Sequence, residues 1–337
     1  MKKNYRIIVG IDVSKTKLDY CIAAAPGYNS YKFGIVTNTE KGIKQLIDLF
    51  QKNDTDRHTV LVCLENTGVY SMPVCYWLQA NHLDYWVVPA LEVKKAKGIS
   101  RGKTDKADAK DITMYALNHL HHVKLSVLPE KSFIELRLLL AEREKLVKAI
   151  GIFKMTTENK SFMPKDILKS VLANNKKTTA LLQQQLNNLE ILIQKIVDNN
   201  SVLKQQSNLL QTVPGIGKQT SVNLIAYTHA FSCFKNWRKF ACFCGLAPFP
   251  YQSGSSIKGK TKVHHLANKK LKALLNLAAL SAKRYDPEIK YYFERKVNEG
   301  KNKMLVLNAI RCKVISRAFA VIHRNSAFAN LNKFAAA

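Results

Sequence analysis

The stretch YRIIVGIDVSK, residues 5–15, decides how the N-terminal part of the chain folds. Its first eight residues, rich in Ile and Val and ending on Asp12, have the composition of a buried strand. Two more strands follow at 18–24 (LDYCIAA) and 31–37 (YKFGIVT), with the short polar run Ser14 to Lys17 as a hairpin turn between the first two. Residues 40–52 then place Ile43, Leu46, Ile47 and Phe50 on one helical face. A strand at 59–64, a helix at 70–81 and a strand at 84–89 continue the pattern. From Asp105 to about Leu120 the period is helical again, with Ile112, Tyr115 and Ala116 as the apolar side. Three successive strands followed by alternating helix and strand predict an α/β domain built on a mixed sheet, spanning residues 1–125.

Four acids stand out on this frame. Asp12 ends the first strand, Glu65 follows the strand at 59–64, and Asp105 and Asp108 lie three apart on one face of the next helix. Acids at the carboxyl ends of strands are exposed at the sheet edge where open α/β sheets bind ligands. Together they suit a pair of divalent ions, Mg²⁺ or Mn²⁺, in phosphodiester chemistry. Each also has an ordinary reading: Asp105 as a helix cap, Asp108 as a solvated acid, Glu65 as the partner of a nearby lysine. Lys103 and Lys106, interleaved with the acids, are suited to phosphate contact.

The chain has 337 residues, 53 of them Lys or Arg against 24 Asp or Glu, a net charge of +29. Self-repulsion on that scale points to a polyanionic partner, nucleic acid. The N-terminus has no apolar segment of the signal-peptide kind, and no run of apolar residues is long enough for a transmembrane helix, so no membrane is expected and the cytoplasm is, with action at the nucleoid. Seven cysteines are scattered through apolar segments without zinc spacing and read as reduced thiols.

Residues 126–206 carry long, Pro-free, helix-period segments that read as two helices of a hairpin or coiled-coil arm, joined near Pro164. A C-terminal, mainly helical domain is expected over 207–326, followed by a tail at 327–337. It begins with Val213-Pro214-Gly215-Ile216-Gly217-Lys218, which reads as a helix-hairpin-helix element. Backbone N–H groups at Gly215, Gly217 and Lys218, at a helix N-terminus, can meet a phosphate. The alternative is an ordinary Pro-Gly turn. Further on, Gln252-Ser253-Gly254-Ser255-Ser256 precedes Lys258, Lys260 and Lys262. Such a stretch reads either as a flexible loop or as a nucleophilic serine beside cations. His264 and His265 read as solvated.

The segments Gly-Ile-Asp-Val-Ser-Lys at 10–15, Glu-Asn-Thr-Gly at 65–68 and Lys-Thr-Asp-Lys-Ala-Asp-Ala at 103–109 resemble the Asp-Glu-Asp-Asp signature of the IS110 family of insertion-sequence transposases. Asn66 stands where many members have alanine. Pro-Gly-Ile-Gly at 214–217, Gly-Leu-Ala-Pro at 245–248 and Ser-Gly-Ser-Ser at 253–256 resemble the C-terminal domain of the same group, in the same order. The resemblance implies a RuvC/RNase H-like N-terminal domain in which Asp12, Glu65, Asp105 and Asp108 hold the metal. It also implies Ser253 as a nucleophile that joins covalently to DNA, guidance by a bridge RNA, and composite active sites in a dimer or tetramer. Two other readings are set against this recombinase. One is a RuvC-like junction nuclease using metal-activated water alone; the other is a non-catalytic nucleic-acid-binding protein whose acids are structural.

Overall fold

The computed structural model describes residues 3–24, 27, 29–51, 57–98, 104–155, 164–253 and 257–330. These fall into two compact units, divided between Leu128 and Pro129.

In the first unit the β-branched run becomes β1 (Ile7–Val13). It pairs antiparallel with β2 (Lys17–Ala24), and β2 with β3 (Tyr31–Thr37). The β1–β2 turn is tied by Ser14, whose N–H and hydroxyl both donate to the Lys17 carbonyl at 3.0 and 2.8 Å. After α1 (Glu40–Gln51), β4 (Val60–Glu65) returns parallel to β1. Then α2 (Met72–Ala80) leads to β5 (Asp84–Val88), parallel to β4. The strand order is β3-β2-β1-β4-β5. A mixed five-stranded sheet in this order, with only β2 reversed among its strands, is the RNase H-like arrangement expected above.

Period-two alternation splits the sheet into two apolar layers. Val9, Ile11, Val62 and Leu64 face one way, packing with Ile43, Leu46 and Ile47 of α1 and Val74 and Leu78 of α2. Ile8, Leu61, Cys63 and Trp86 face the other way, against α3 (Ala90–Lys97) and α4 (Asp105–Asn118) through Val93, Ile112, Tyr115 and Ala116. Helix α4 comes close to β1 because residue 10 is glycine. A Cβ there would strike the Ala109 carbonyl and Thr113. The Thr113 hydroxyl donates to the Cys21 carbonyl at 3.1 Å and fastens the helix to β2.

In the second unit the expected arm is α5 (Lys131–Met155) and α6 (Lys165–Asp198), which pack on each other. Arg143 meets Glu190 across the pair at 2.8 Å. Their inner ends bury Phe133, Leu136, Ile193 and Val197 in the core that the remaining helices share. Those helices are α7 (Ser201–Gln211), α8 (Lys218–Thr228), α9 (Trp237–Phe243), α10 (Lys269–Tyr285), α11 (Pro287–Asn298) and α12 (Lys303–Arg324). The stretch around Ser253 contains a hairpin, β6 (Phe249–Ser253) and β7 (Ile257–Lys262). The sequence announces it weakly, because Pro250 stands inside β6 and Ile257 is the one large apolar residue of β7. Asp286 anchors this unit: it is 2% exposed, caps α11 by accepting from the N–H groups of Glu288 and Ile289, and pairs with Arg317 at 2.5 Å. Among the described residues no helix is long and apolar enough to cross a membrane. The thiols of Cys21, Cys63, Cys75 and Cys244 are buried and unpaired with one another, Cys242 and Cys312 are half-buried, and Cys233 is exposed.

Candidate functional site

The register of the first unit's sheet sets three acids in one row. Asp12 on β1 lies opposite Asp19 on β2, and Asp19 opposite Ile35 on β3. On the other side Ile11 pairs with Leu64, so Glu65 is the next step of β4 beside Asp12, and Glu65 lies opposite Val88. All share the face that α4 covers, since Ile8 and Gly10 of β1 and Leu61 and Cys63 of β4 contact that helix or its layer. The three central strands therefore each place one carboxylate on the same end of the same face.

Helix α4 lowers two more onto that row. Thr104 is the N-cap, its hydroxyl accepting from the Ala107 N–H at 3.2 Å. Asp105 is thus freed from the capping role that its position suggested. Both Asp105 and Asp108 lie in the first turn, where the helix dipole favours negative charge. Asp12, Asp105 and Asp108 each offer an oxygen within 4.8 Å of the others. Burial pushes the Asp12 carboxyl up to about 6, and the charges of Asp108, Asp105, Glu65 and Asp19 add to it. Carboxylates crowded in this way repel one another, so the cluster is complementary to a multivalent cation. Asp12, Asp105 and Asp108, with Glu65 beside Asp12, fit Mg²⁺ or Mn²⁺, hard ions that take oxygen ligands.

Two lysines partly neutralise the surplus. The Lys17 ammonium bridges Asp19, at 3.0 Å, and Asp105, at 2.7 Å. From the last turn of α3, Lys97 reaches Asp108 at 3.2 Å and also Asp111. Asp19, Asp111, Lys17 and Lys97 were not picked out in the sequence. Asp19 sits mid-strand in an apolar stretch, and only the β1–β2 register reveals that it faces Asp12. Immediately after Glu65, the Asn66 side-chain oxygen is taken up by the turn that follows, accepting from the Gly68 N–H at 3.1 Å.

The remaining sequence-chosen positions scatter. Lys106 is exposed on α4, while Lys103 lies outside the described residues. In the second unit, α7 and α8 flank the Pro-Gly-Ile-Gly turn. Gly215 has φ +92, and a Cβ on it would meet Ala278 and Ala282 of α10, so this glycine serves close packing. Gly217, the N-cap of α8, and Lys218 are exposed. Ser253 is the last paired residue of β6, opposite Ile257; Gly254, Ser255 and Ser256 lie outside the described residues. Lys258 and Lys260 lie on β7, and Lys262 is exposed at its end. Beside the hairpin, Phe249, Tyr251, Lys262, His264 and His265 line an open pocket, with the two imidazoles stacked at 4.4 Å.

Comparison with known proteins agrees across both units. Residues 9–158 match a family profile described as "Transposase" and labelled DEDD_Tnp_IS110. Residues 207–294 match one described as "Transposase IS116/IS110/IS902 family". The pilin gene-inverting proteins of Moraxella bovis and Moraxella lacunata are each 27% identical over 342 residues, covering 97% of this chain and 98% of theirs. An uncharacterised 43.6 kDa protein of insertion element IS110 from Streptomyces coelicolor is 29% identical over 116 residues, covering 34% of this chain and 28% of its own. Among solved structures, Thermus thermophilus RuvC in complex with a Holliday junction substrate is 11% identical. It is matched over its full length and 37% of this chain, with a TM-score of 0.28. Strand order and direction, rather than this likeness, identify the fold.

Proposed function

Because the chain belongs to the IS110 family of transposases, we propose that it is a DNA recombinase of a mobile element, cutting and rejoining strands through a covalent link to Ser253. The observation that carries the catalytic half of this reading is the convergence of Asp12, Asp105 and Asp108 within 4.8 Å, beside Glu65. A divalent ion bound there would supply charge stabilisation for a phosphodiester undergoing displacement. The protein's own part is positional. The sheet register fixes Asp12 and Glu65, Gly10 lets α4 bring down Asp105 and Asp108, and Lys17 and Lys97 hold the helical acids in place.

The covalent half rests on the resemblance at 253–256 and on the place of Ser253 at the end of β6. Its Oγ would form the bond to phosphorus as a P–O bond of the DNA backbone breaks, storing the ester for rejoining. Lys258, Lys260 and Lys262 on the following strand, and Gly217 with Lys218 at the start of α8, would hold phosphates. By the family resemblance the protein would act as a homo-oligomer, a dimer or tetramer, with composite active sites. A bridge RNA choosing the DNA partners is proposed on the same family resemblance. Full-length likeness to pilin gene-inverting proteins favours reactions that include inversion of a DNA segment.

The test is capture of the protein under denaturing conditions from cells carrying its gene with native flanking DNA. DNA attached to wild type and absent from Ser253→Ala establishes the serine link. Cut DNA without attachment, unaffected by Ser253→Ala, would transfer the activity to the metal site alone.

A further inference from the structure

The row of acids does not end on an acid. Beyond Asp19 it runs onto the edge strand β3, where Ile35 is 64% exposed and Phe33, two residues before it on the same face, is 38% exposed. Edge strands ordinarily carry charges or cover to discourage pairing. Here the outward end of the catalytic row is apolar instead. Above it, Lys106 and Lys110 stand one turn apart on α4, their ammonium groups 4.5 Å over the Phe33 ring and 4.8 Å over the Tyr31 ring. Asp19, Tyr20, Phe33, Gly34, Ile35 and Lys106 enclose a pocket of about 170 Å³. That is below the roughly 300 Å³ at which pockets for whole small molecules begin, and suits a single ring or sugar.

We infer that this ledge seats unpaired nucleotides of the DNA strand whose phosphate enters the acid site, with Ile35 and Phe33 against a base or sugar and Lys106 on a neighbouring phosphate. The inference rests on the proposed DNA-cutting role and adds a positioning surface to it. Neighbouring strands are about 4.8 Å apart, so Ile35 lies about 10 Å along the row from Asp12. At roughly 3.4 Å per stacked nucleotide this is about three nucleotides, and fewer for an extended strand. An apolar platform bordered by ammonium groups is the pairing that single-strand binders use: stacking that tolerates sequence, with cations on the backbone. A duplex keeps its bases stacked inside and offers this ledge only phosphates, so the surface discriminates in favour of melted DNA.

The test uses the full-length protein in Ca²⁺, with a fluorescein-labelled oligodeoxynucleotide of mixed sequence, single-stranded or annealed, followed by anisotropy. Phe33→Ala and Ile35→Asp should each weaken single-strand binding roughly tenfold, while Ile35→Phe retains it. Duplex affinity should change less than twofold, and Mn²⁺ binding measured by calorimetry should be unchanged. Single-strand affinity within twofold of wild type in both disruptive variants would overturn the ledge. So would a smaller species in sedimentation for Ile35→Asp with DNA affinity intact, which would make β3 a contact between copies. Failure of the wild type to bind either DNA form would bring down the DNA-cutting reading and the ledge together. Normal DNA binding with cutting lost only in Asp12→Asn would leave that reading standing while the ledge variants decide their own case.

Discussion

Replacing Asp12 by Asn should make the metal-free protein more stable while removing its activity. Asp12 is half-buried among four other carboxylates and ionises only near pH 6, against an ordinary value of 3.8. That difference corresponds to about 3 kcal/mol, which solvent screening at a half-exposed group reduces to about 1–2 kcal/mol. The sign follows from proton binding. The folded state holds its proton to higher pH than the unfolded state, so ionisation of Asp12 opposes folding. Its cost is absent below about pH 4 and complete above about pH 6. Asparagine keeps the shape and drops the charge. In EDTA at pH 7.5, Asp12→Asn should therefore melt a few degrees above wild type, at roughly 2–4 °C per kcal/mol for a chain of this size. The gap should close as the pH is lowered towards 4. Adding Mn²⁺ should reverse the order, because binding to the folded state alone stabilises by about 2.7 kcal/mol at a hundred times Kd, and only wild type keeps the full ligand set. Calorimetric melts at both pH values, with and without Mn²⁺, decide the matter. A lower melting temperature for Asp12→Asn in EDTA at pH 7.5, or equal Mn²⁺ shifts in both proteins, would refute a repulsive, metal-ready cluster.

Gly10→Ala should force α4 off β1, since the new methyl meets the Ala109 carbonyl and Thr113; a loss of about 1–3 kcal/mol in denaturant titrations, with weakened Mn²⁺ binding, is expected. Asp286→Ala removes a helix cap and leaves Arg317 with Glu288 as its acidic partner, so urea unfolding should show about 3–5 kcal/mol lost from the second unit while Mn²⁺ binding is unaffected. Lys97→Met leaves Asp108 and Asp111 without their shared cation; metal-free stability at pH 7.5 should fall by at most about 1 kcal/mol and recover with Mn²⁺, as melts can show.

What was legible in the sequence followed the strength of its periodicities. Ile7 to Ile11 and Val60 to Leu64 could only be buried strands, so Asp12 and Glu65 at their ends were legible as acids at a sheet edge. Asp105 and Asp108 were legible as neighbours because helical spacing is local. Asp19 was not, because its proximity to Asp12 depends on which residues of two strands face each other, and turn geometry sets that register. Lys17 and Lys97 were hidden for a related reason: lysines are plentiful in this chain, and nothing local marks the two whose ammonium groups reach the cluster. Residues 252–262 read as a loop because Ser, Gly and Lys dominate them and Ile257 is the one large apolar residue among them.

The row of acids also polices how the sheet assembles. Side chains alternate faces, so a slip of β2 or β4 by one residue would turn Asp19 or Glu65 from the α4 side into the layer of Val9, Ile11, Leu46 and Val74. An ionised carboxylate buried there without a partner costs several kcal/mol, a large share of a domain's net stability. The groups that crowd and destabilise the finished site therefore penalise misaligned versions of the same sheet more heavily still. Strand lengths in this half of the chain should accordingly resist single-residue insertion, and variation in length should collect in the connections between strands.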